Sequence, residues 1–252
     1  MTGRDEYYNR AKQEGYRSRA AYKLKGIHEE VNLISRGDTV VDLGAAPGGW
    51  LQVAAELAGE EGNVVGVDLQ RIDSLEGVET IRGDLTTEET KAEIRERVGE
   101  VDVVLSDMAP NMTGEYNVDH ARSIHLARQA LEVATDLLAG GGDFVVKAFD
   151  GPDLTDLRAD IEREFDYVRL MRPDASREES SEVYLVAKGR LTAPVREGDV
   201  LEVSIEGVGS EGDSIAKVEG FTLFVPETEE GEEVEVRVTG VKPRFGFAER
   251  LE

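Results

Sequence analysis

The sequence predicts an α/β domain with a mostly parallel sheet and helices on both faces, followed by a small C-terminal β-barrel. Two patterns carry this prediction. Short β-branched strand patterns alternate with helical patterns over most of the chain, which is typical of a parallel sheet wrapped by helices. After about residue 190 the helical patterns stop and only short alternating strands remain. The length of 252 residues suits this division, which we place at 1–190 and 191–252.

The first domain contains candidate strands that are short apolar runs, most of them rich in β-branched residues. They are Thr39–Leu43, Val64–Val67, Val78–Arg82, Val101–Ser106, Asp143–Ala148, Tyr167–Met171 and Val183–Ala187. Helical patterns lie between them, near residues 50–59, 87–98, 118–139 and 152–165. The longest pattern repeats its apolar residues at spacings of three and four, as one buried helix face requires. In such a Rossmann-like fold the ligand lies at the carboxyl ends of the strands.

The second domain shows strand patterns separated by Gly, Pro and acidic turns. They are Val200–Ile205, Ser214–Val218, Phe221–Val225 and Glu233–Val241. This pattern predicts a small OB-like barrel, an architecture that often binds nucleic acids. The segment holds six Lys/Arg and fifteen Asp/Glu, so its surface is expected to be as acidic as the rest.

The composition excludes several classes of protein. There are no cysteines, which removes disulfides and thiolate metal sites. The three histidines show no metal-binding spacing, so we predict no metal site. The N-terminus is polar and no apolar run reaches membrane-spanning length, which argues against a signal peptide or a membrane protein. We therefore expect a cytoplasmic protein, and a monomer.

The charge balance indicates a salt-accumulating source. The formal net charge is -24, and the acidic residues are spread along the whole chain instead of forming a tail. Repulsion within such a chain is screened over about 3 Å in 1 M salt, so distributed acidity suits a halophile. Net charge is consequently no argument against nucleic-acid binding here.

Residues 1–25 are the exception to this acidity. They hold seven Lys/Arg against three Asp/Glu, interleaved with four tyrosines. Basic and aromatic residues together suit phosphate contacts and base stacking. In so acidic a background we predict that this basic N-terminal segment contacts RNA, in preference to forming an ordinary solvated helix face.

A glycine-rich turn follows the first predicted strand, within the segment 42–50 (DLGAAPGGW). Small residues let the backbone approach a ligand, and the next helix offers free N–H donors. The turn does not fit a dinucleotide fingerprint, because Ala46 stands where the middle glycine is needed between Gly44 and Gly49. Asp42 would repel a pyrophosphate, but it would attract a sulfonium or an amino group.

Two further acids extend this site. Asp68 ends the second strand, where a carboxylate can accept hydrogen bonds from both ribose hydroxyls. Asp84 follows the third strand and is well placed to contact an adenine amino group. One acid at a strand end is usually a solvated charge, but Asp42, Asp68 and Asp84 follow successive strands. Together with the Gly44 turn they predict an S-adenosylmethionine pocket.

Five motifs resemble the FtsJ-type ribosomal RNA 2'-O-methyltransferases, in order, over residues 1 to about 190. They are RSRAAYKL (17–24), DLGAAPGGW (42–50), SDMAPN (106–111), VKAF (146–149) and SSEVY (180–184). The resemblance implies a Rossmann-like S-adenosylmethionine methyltransferase fold. It also implies a Lys-Asp-Lys-Glu tetrad around the target hydroxyl and a set of cofactor-binding residues. The tetrad corresponds to Lys23, Asp107, Lys147 and Glu182, and the cofactor residues to Gly48, Trp50, Asp68, Asp84 and Asp107. The segment from about 191 is similar to a TRAM domain, a small RNA-binding barrel.

The chemistry of the tetrad can be anticipated in part. A ribose hydroxyl is a weak nucleophile, so a nearby base helps, and Lys147 can be that base if it is neutral. The positive charge of Lys23 favours the neutral form, whereas Asp107 and Glu182 oppose it. We expect Lys147 to accept the proton while Asp107 orients Lys147 and touches the cofactor. Lys23 and Glu182 are expected to hold the substrate ribose. If Lys147 stays charged, it only orients the substrate.

The segment after the fourth strand bears on the substrate. Enzymes that methylate an exocyclic base amine usually carry Asn/Asp-Pro-Pro-aromatic here, whereas this chain has Ala109 and Asn111 at two of those places. A hydroxyl target is therefore favoured over a base nitrogen. The resemblance further implies a uridine in the A-loop of 23S rRNA, methylated in the assembled 50S subunit.

Three alternatives remain open at this point. The first is a 2'-O-methyltransferase acting on transfer RNA or on an RNA cap. The second is a non-enzymatic ribosome-assembly factor, which predicts a broken tetrad or cofactor turn. The third is a nicotinamide-dependent oxidoreductase, against which Ala46 and Asp42 argue.

Overall fold

The computed structural model describes residues 3–176, 180–209 and 213–251, with side chains from residue 6 onward. The side chains of Arg4 and Asp5, two charges of the predicted basic segment, lie outside the described residues, as do residues 1–2 and 252. The helices are α1 (Gly3–Glu14), α2 (Ala21–Val31), α3 (Gly49–Ala58), α4 (Glu88–Val98), α5 (Tyr116–Leu137) and α6 (Leu154–Glu162). The strands of the sheet are β1 (Thr39–Leu43), β2 (Asn63–Asp68), β3 (Val78–Arg82), β4 (Val101–Ser106), β5 (Leu138–Phe149), β6 (Phe165–Met171) and β7 (Glu182–Arg190).

The sheet has the order β3-β2-β1-β4-β5-β7-β6. Strands β1 to β5 pair in parallel, and β7 runs antiparallel to both β5 and β6. The prediction of a mostly parallel sheet is confirmed. Because β1 lies between β2 and β4, the carboxyl ends of these three strands meet at one edge of the sheet, and there the cleft described below opens.

The two faces of the sheet pack against different helices. One core layer joins α4, α5 and α6 to the sheet and is centred on residues such as Ile94, Leu157 and Phe144. The other joins α2 and α3 to the sheet through Leu24, Leu51 and neighbouring apolar side chains. Strands covered on both faces read as continuous apolar runs, which is why they were recognisable in the sequence.

The sequence analysis did not predict α1 or α2 as helices, and the reason differs between the two. Within α1 the only described core residue is Ala11, so its sequence carries little apolar periodicity. Helix α2 buries Lys23 as well as Leu24 and Ile27 and contains Gly26, a weak helix former, so its apolar repeat is short and interrupted. The helix ends at Asn32 in the left-handed conformation, a residue type that tolerates it.

The barrel is closed and has five strands in the order β10-β12-β11-β8-β9. These are β8 (Val200–Val208), β9 (Ser214–Val218), β10 (Phe221–Val225), β11 (Glu233–Val241) and β12 (Phe245–Arg250). The first four were predicted. Strand β12 was missed because its alternation is inverted: Gly246 and Ala248 point inward while Phe245 and Phe247 point outward.

No helix in the described part of the chain combines the length and the apolar character needed to cross a bilayer. The same residues contain no cluster of three or more His, Asp or Glu side chains arranged to hold a metal ion.

Candidate active site

The carboxyl ends of β1, β2 and β4 line a cleft made of two adjoining cavities, of about 400 Å³ and about 180 Å³. Both cavities share Gly44, Ala46 and Asp107 in their walls. The larger also contains Asp68 and Asp84, and the smaller contains Asp42 and Trp50. Six of the seven residues expected to bind a cofactor therefore line one continuous cleft.

The turn after β1 needs its glycines for space as well as for conformation. Gly44 has φ +74°, and a Cβ there would lie 2.2 Å from the Cγ of Met108. Gly48, the seventh expected residue, has φ +105°, and a Cβ there would press on the side chain of Arg17. A Cβ on Gly49 would lie 2.3 Å from the Oγ of Ser18. The turn is thus packed against the residues preceding α2 on one side and the loop after β4 on the other.

Asp68 and Asp84 are held rigidly by backbone hydrogen bonds. The carboxylate of Asp68 accepts from the N–H of Ala46 at 3.0 Å and of Gln70 at 2.7 Å. The carboxylate of Asp84 accepts from the N–H and the hydroxyl of Thr86, at 2.9 and 2.7 Å, and these bonds lower its pKa. Each carboxylate keeps lone pairs that can accept from a ligand in the larger cavity, and on Asp84 these are on Oδ2, because Oδ1 accepts both bonds from Thr86.

Asp42 is the most unusual group of the cleft. It is buried on β1, and its Oδ2 has no hydrogen-bond partner among the described residues. Burial raises its pKa well above the ordinary value, and the negative charges of Asp107 and Asp68 raise it further. A buried carboxyl without a partner is costly, so it is suited to a ligand that brings a donor or a positive charge.

Trp50 forms a wall of the smaller cavity and is itself buried. Its indole N–H donates to the carbonyl of Ala20 at 2.8 Å, and its ring centroid lies 5.8 Å from that of Tyr184. Trp50, which the resemblance implies to touch the cofactor, therefore also fixes the segment that leads into α2. Lys23 lies on that helix.

The four tetrad residues come together as two ion pairs. Lys147 Nζ lies 2.9 Å from Asp107 Oδ1, and Lys23 Nζ lies 2.8 Å from Glu182 Oε2. Lys23 and Lys147 are only 5% and 6% exposed, so each ammonium depends on its carboxylate for compensation. Antiparallel pairing sets Glu182 opposite Phe149, the last residue of β5. The strand order thus assembles groups that are far apart in the chain.

Electrostatics fixes the charge state of both carboxylates. Burial by itself would raise the pKa of Asp107, but the ammonium groups of Lys147 and then Lys23 outweigh it and lower the pKa below its ordinary value. For Glu182, burial is likewise outweighed by Lys23, and the pKa is lowered. Both carboxylates are consequently ionised at neutral pH and can anchor the lysines.

Tyr184 is a site residue to which sequence reasoning assigned no role. Its hydroxyl donates to Asp107 Oδ1 at 2.6 Å, and Lys23 Nζ lies 5.6 Å from its ring centroid. Burial, and then the charge of Asp107, raises its pKa well above the ordinary value, so it stays a donor. The available signal was its position two residues after Glu182, which places both side chains on one face of β7.

Several residues of the basic N-terminal segment, which we predicted to contact RNA, instead make contacts within the protein. Arg17 donates to the backbone carbonyls of Pro47, Asp73 and Ser74. Its guanidinium therefore binds the turn after β1 and not, as predicted, an RNA phosphate. Tyr22 is buried, and Lys25 pairs with Glu56 at 3.4 Å. Lys25 makes its contact because α2 packs on α3, whereas Tyr22 packs against α1, and no local pattern reveals either arrangement.

The exposed remainder of that segment lies on α1. Tyr8 is 61% exposed and Lys12 is exposed beside it on the same helix. RNA contact by this helix surface stays a prediction, and the side chain of Arg4 lies outside the described residues.

A mostly parallel seven-stranded sheet with one antiparallel strand next to its edge, carrying an acid-lined cleft at its strand ends, defines the class of Rossmann-like methyltransferases. Comparisons with known proteins agree. The FtsJ-like methyltransferase model matches residues 16–190, and the TRAM domain model matches residues 194–251. The chain belongs to the FtsJ-like methyltransferase family, and its barrel is a TRAM domain, as the sequence motifs led us to expect.

Several relatives share its full length. The "Ribosomal RNA large subunit methyltransferase E" of Natronomonas pharaonis is 71% identical, with all of both chains covered. The protein of the same name from Haloarcula marismortui is 65% identical, again over the whole of both chains. A ribosomal RNA methyltransferase structure from Plasmodium falciparum is 26% identical, with a TM-score of 0.63 over 69% of this chain and 98% of that one.

Proposed function

We propose that this methyltransferase transfers a methyl group from S-adenosylmethionine to the ribose 2'-hydroxyl of a uridine in the A-loop of 23S rRNA. The proposed substrate is the assembled 50S subunit, and the enzyme acts as a cytoplasmic monomer with its TRAM barrel bound to RNA. The single observation that carries the reaction type is the pair of buried lysine–carboxylate ion pairs beside the cleft.

The residues of the cleft fit S-adenosylmethionine. Asp42 offers a buried carboxylate oxygen without a partner, which suits the positively charged end of that molecule. Asp68 offers fixed acceptors for ribose hydroxyls, and Asp84 lies further along the same cavity for the adenine amino group. When bound, S-adenosylmethionine supplies an electrophilic methyl group on a sulfonium, and the product is the neutral thioether.

The tetrad orients the nucleophile and takes its proton. As the hydroxyl oxygen forms a bond to the methyl carbon and the carbon–sulfur bond breaks, the hydroxyl proton passes to Lys147 Nζ if that amine is neutral. Asp107 holds Lys147 through its carboxylate at 2.9 Å and its carbonyl at 2.5 Å. Lys23 and Glu182 then hold the ribose. Correct alignment of the reacting atoms supplies much of the acceleration, in addition to the base.

The loop after β4 supports a hydroxyl target. Asp107 is followed by Ala109 and Asn111, so it lacks the aromatic platform that base-amine methyltransferases place here. The names of the full-length relatives support large-subunit rRNA as the substrate. The intact tetrad and cofactor turn argue against a non-enzymatic assembly factor.

The test is methyl transfer from tritiated S-adenosylmethionine to large subunits from cells that lack this gene. We expect one modified nucleotide whose 3' phosphodiester resists alkali, because a 2'-O-methyl group blocks alkaline cleavage. Methyl groups in alkali-sensitive positions would show base methylation and contradict the proposal. Transfer to tRNA or capped RNA, with none to large subunits, would contradict the proposed substrate.

A further inference from the structure

Tyr116 is an exposed aromatic residue at the start of α5, and it is attached to the backbone beside the tetrad. Its hydroxyl donates to the carbonyl of Asp150 at 2.6 Å, and the residue is 56% exposed. Asp150 directly follows β5, the strand of Lys147, and its own N–H donates to the carbonyl of Ser181 at 2.7 Å. Ser181 in turn precedes Glu182. The tip of the tyrosine is therefore held where the strands of Lys147 and Glu182 meet.

The ring of Tyr116 is fixed in one orientation. It lies nearly parallel to the ring of His120, with 11° between the planes and 6.2 Å between the centroids, and His120 is buried. With one face towards His120 and the hydroxyl bonded, the exposed part of the ring includes its opposite face. A side chain that is already ordered loses little conformational entropy when a ligand stacks on it.

The turn before α5 fixes the backbone that carries this ring. The carboxylate of Asp119 accepts from the N–H and the hydroxyl of Thr113, both at 2.8 Å, and from the N–H of Gly114 at 3.0 Å. Gly114 has φ +85°, a conformation that favours glycine. The first turn of α5 is thus tied to the loop after β4, and Tyr116 enters the helix at a defined place.

The surface around the ring favours a neutral, planar ligand. Met112, before the turn, is 64% exposed, and Val118, in the first turn of α5, is 37% exposed. Glu115 precedes Tyr116 and is exposed as well. A carboxylate repels a phosphate but not a neutral base, and a base can also cover apolar side chains. An exposed apolar patch beside a reacting site is typical of a place where a ligand binds.

Tyr116 lies on the side of the tetrad away from the cofactor cleft. The ends of β1, β2 and β4 line the two cavities of that cleft, and Tyr116 is not among their described lining residues. Strand β5 follows β4 in the sheet, and the tyrosine is attached at its carboxyl end. Along this edge of the sheet the order is therefore cofactor cleft, tetrad and tyrosine. A substrate that reacts at the tetrad can reach the ring without displacing the cofactor.

The covalent structure of a nucleotide brings its base close to this ring. The base is attached to C1′, the neighbour of the carbon that bears the 2'-hydroxyl. When the hydroxyl lies at the tetrad, the base lies directly beside it. Trp50, Phe149 and Tyr184 are the aromatic residues nearest the tetrad in the strands and the cleft, but all three are buried and offer no open face. Tyr116 offers one.

We propose that the base of the nucleotide that is methylated stacks on the open face of Tyr116 while its ribose lies at the tetrad. Tyr116 is then a specificity-determining residue, because it contacts the substrate base and neither the cofactor nor the reacting atoms. Base stacking on an aromatic side chain contributes about 1–3 kcal/mol per base. This inference deepens the proposed function and rests on it for the identity of the substrate.

A double-mutant cycle between protein and RNA tests the contact. A short hairpin with the target loop is made with the target uracil present, or with an abasic ribose that keeps the 2'-hydroxyl. For the wild type, removal of the base is expected to raise KM about tenfold. For Tyr116→Leu, which keeps apolar volume but has no π face, the same removal should leave KM nearly unchanged. Tyr116→Phe keeps the ring and loses only the bond to Asp150, so it should retain the tenfold effect.

Tyr167→Leu is the matched control. Tyr167 is 52% exposed on β6, and it pairs with Lys188, four residues along β7 from Tyr184 and away from Glu182. A Tyr116→Leu variant that kept the full effect of base removal would overturn the inference. So would an equal fall in kcat on both hairpins without any coupling, since that is the result of a purely structural role. A tenfold effect from removing a flanking base, with none from the target base, would also contradict it.

Binding without reaction separates this inference from the proposed function. The Kd of both hairpins is measured by filter binding with S-adenosylhomocysteine, which carries no methyl group to transfer. If Kd depended on the base and on Tyr116 but no ribose were methylated, only the proposed function would fail. If the ribose were methylated and neither Kd nor KM showed this dependence, only the inference about Tyr116 would fail.

Discussion

Each lysine of the tetrad is buried together with its own carboxylate, and this pairing governs what single substitutions do. Removing one partner of a buried ion pair leaves an uncompensated charge, which costs about 3–5 kcal/mol. Loss of Asp107 would therefore affect folding as well as catalysis, because it compensates Lys147 and also accepts from Tyr184. Substitutions of the lysines are cleaner probes, since the carboxylates left behind can be protonated.

We expect Lys147→Ala to lower methyl transfer by about 10²- to 10⁴-fold, the usual contribution of a positioned acid or base. Lys147→Arg keeps a cation beside Asp107. Arginine stays protonated near neutral pH, so it cannot accept the proton of the ribose hydroxyl. Single-turnover rates with saturating S-adenosylmethionine distinguish the two roles: an inactive arginine variant means that Lys147 accepts the proton.

The control is Lys91→Ala, because Lys91 is an equally buried, ion-paired lysine on α4, away from the cleft. A wild-type rate for Lys147→Ala would show that Lys147 takes no part in the reaction. A wild-type rate for Lys147→Arg alone would reduce its role to orientation.

Asp42→Asn should stabilise the free protein at neutral pH while weakening S-adenosylmethionine binding. Burial first, and then Asp107 and Asp68, raise the native pKa of Asp42 above the ordinary 3.8. Between those two pKa values the native state keeps a proton that the unfolded chain has released, so wild-type stability falls as pH rises. An asparagine side chain does not ionise, so the variant does not lose this free energy of unfolding, which we expect to be about 1–3 kcal/mol in the wild type.

Thermal unfolding at pH 4 and pH 8, in the same KCl concentration, measures this difference for both proteins. The gain should be present at pH 8 and small at pH 4. An asparagine variant less stable than wild type at pH 8 would mean that the carboxylate has a compensating partner.

At the scale of elements, one face of α5 holds the end of the strand that carries Lys147. His120 and Ser123 bind the backbone of Phe149: the hydroxyl accepts from its N–H at 3.1 Å, and the ring contacts its carbonyl at 3.1 Å. The hydroxyl of Tyr116, one turn earlier, donates to the carbonyl of Asp150 at 2.6 Å. These residues are spaced four and three apart, so they share a helix face.

The same histidine also fixes the loop after β5. The N–H of Asp153 lies 3.3 Å from His120 Nε2, and the carboxylate of Asp153 lies 3.2 Å from the same ring nitrogen. A Cβ on Gly151 would lie 2.6 Å from the ring, which explains the glycine. Phe149 follows Lys147 by two residues on β5 and pairs with Glu182 on β7. The contacts of His120 with Phe149 therefore position both Lys147 and Glu182.

We therefore predict that His120→Leu lowers kcat by about 10- to 100-fold, since small displacements of reacting groups cost that much. The Kd of S-adenosylmethionine should change little, because His120 lies outside the cleft lining. His120→Gln, which retains a donor and an acceptor, should recover part of the rate. Isothermal titration and single-turnover kinetics measure the two effects separately.

His125→Leu is the control on the same helix, where His125 is exposed. Equal losses of kcat and of cofactor affinity in His120→Leu would indicate general unfolding, and would contradict a positioning role.

At the scale of the whole molecule, the net charge of -24 sets the conditions under which the fold is stable. Repulsion acts over about 30 Å in 0.01 M salt but over about 3 Å in 1 M salt. We expect the melting temperature to rise by about 10 °C between 0.1 and 2 M KCl, which corresponds to a few kcal/mol for a chain of this size.

Differential scanning calorimetry over this range of KCl measures the effect, and sucrose at matched osmolality is the control for solute exclusion. If sucrose raised the melting temperature as much as KCl did, screening of the acidic surface would not be its cause.

Much of the fold was available from local patterns. The central sheet strands were found because strands buried on both faces are continuous apolar runs, whereas the outer strands β3 and β6 are only partly buried. The antiparallel strand β7 and the closed barrel were consistent with the predicted class, which the family comparison confirmed. Helix α1 and strand β12 were missed, since one has a single described core residue and the other turns its aromatic residues outward.

The sequence by itself determined the class of protein, because glycines in a turn and acids at strand ends are local features. It could not decide which charges pair. Lys23 and Glu182 are 159 residues apart, and their contact exists only because β7 is inserted between β5 and β6. Likewise only packing brought Arg17 to the carbonyls of the glycine-rich turn after β1 and paired Lys242 of the barrel with Asp166 of β6. Local residue patterns specify elements, whereas the partner of a buried charge depends on the order of strands in space.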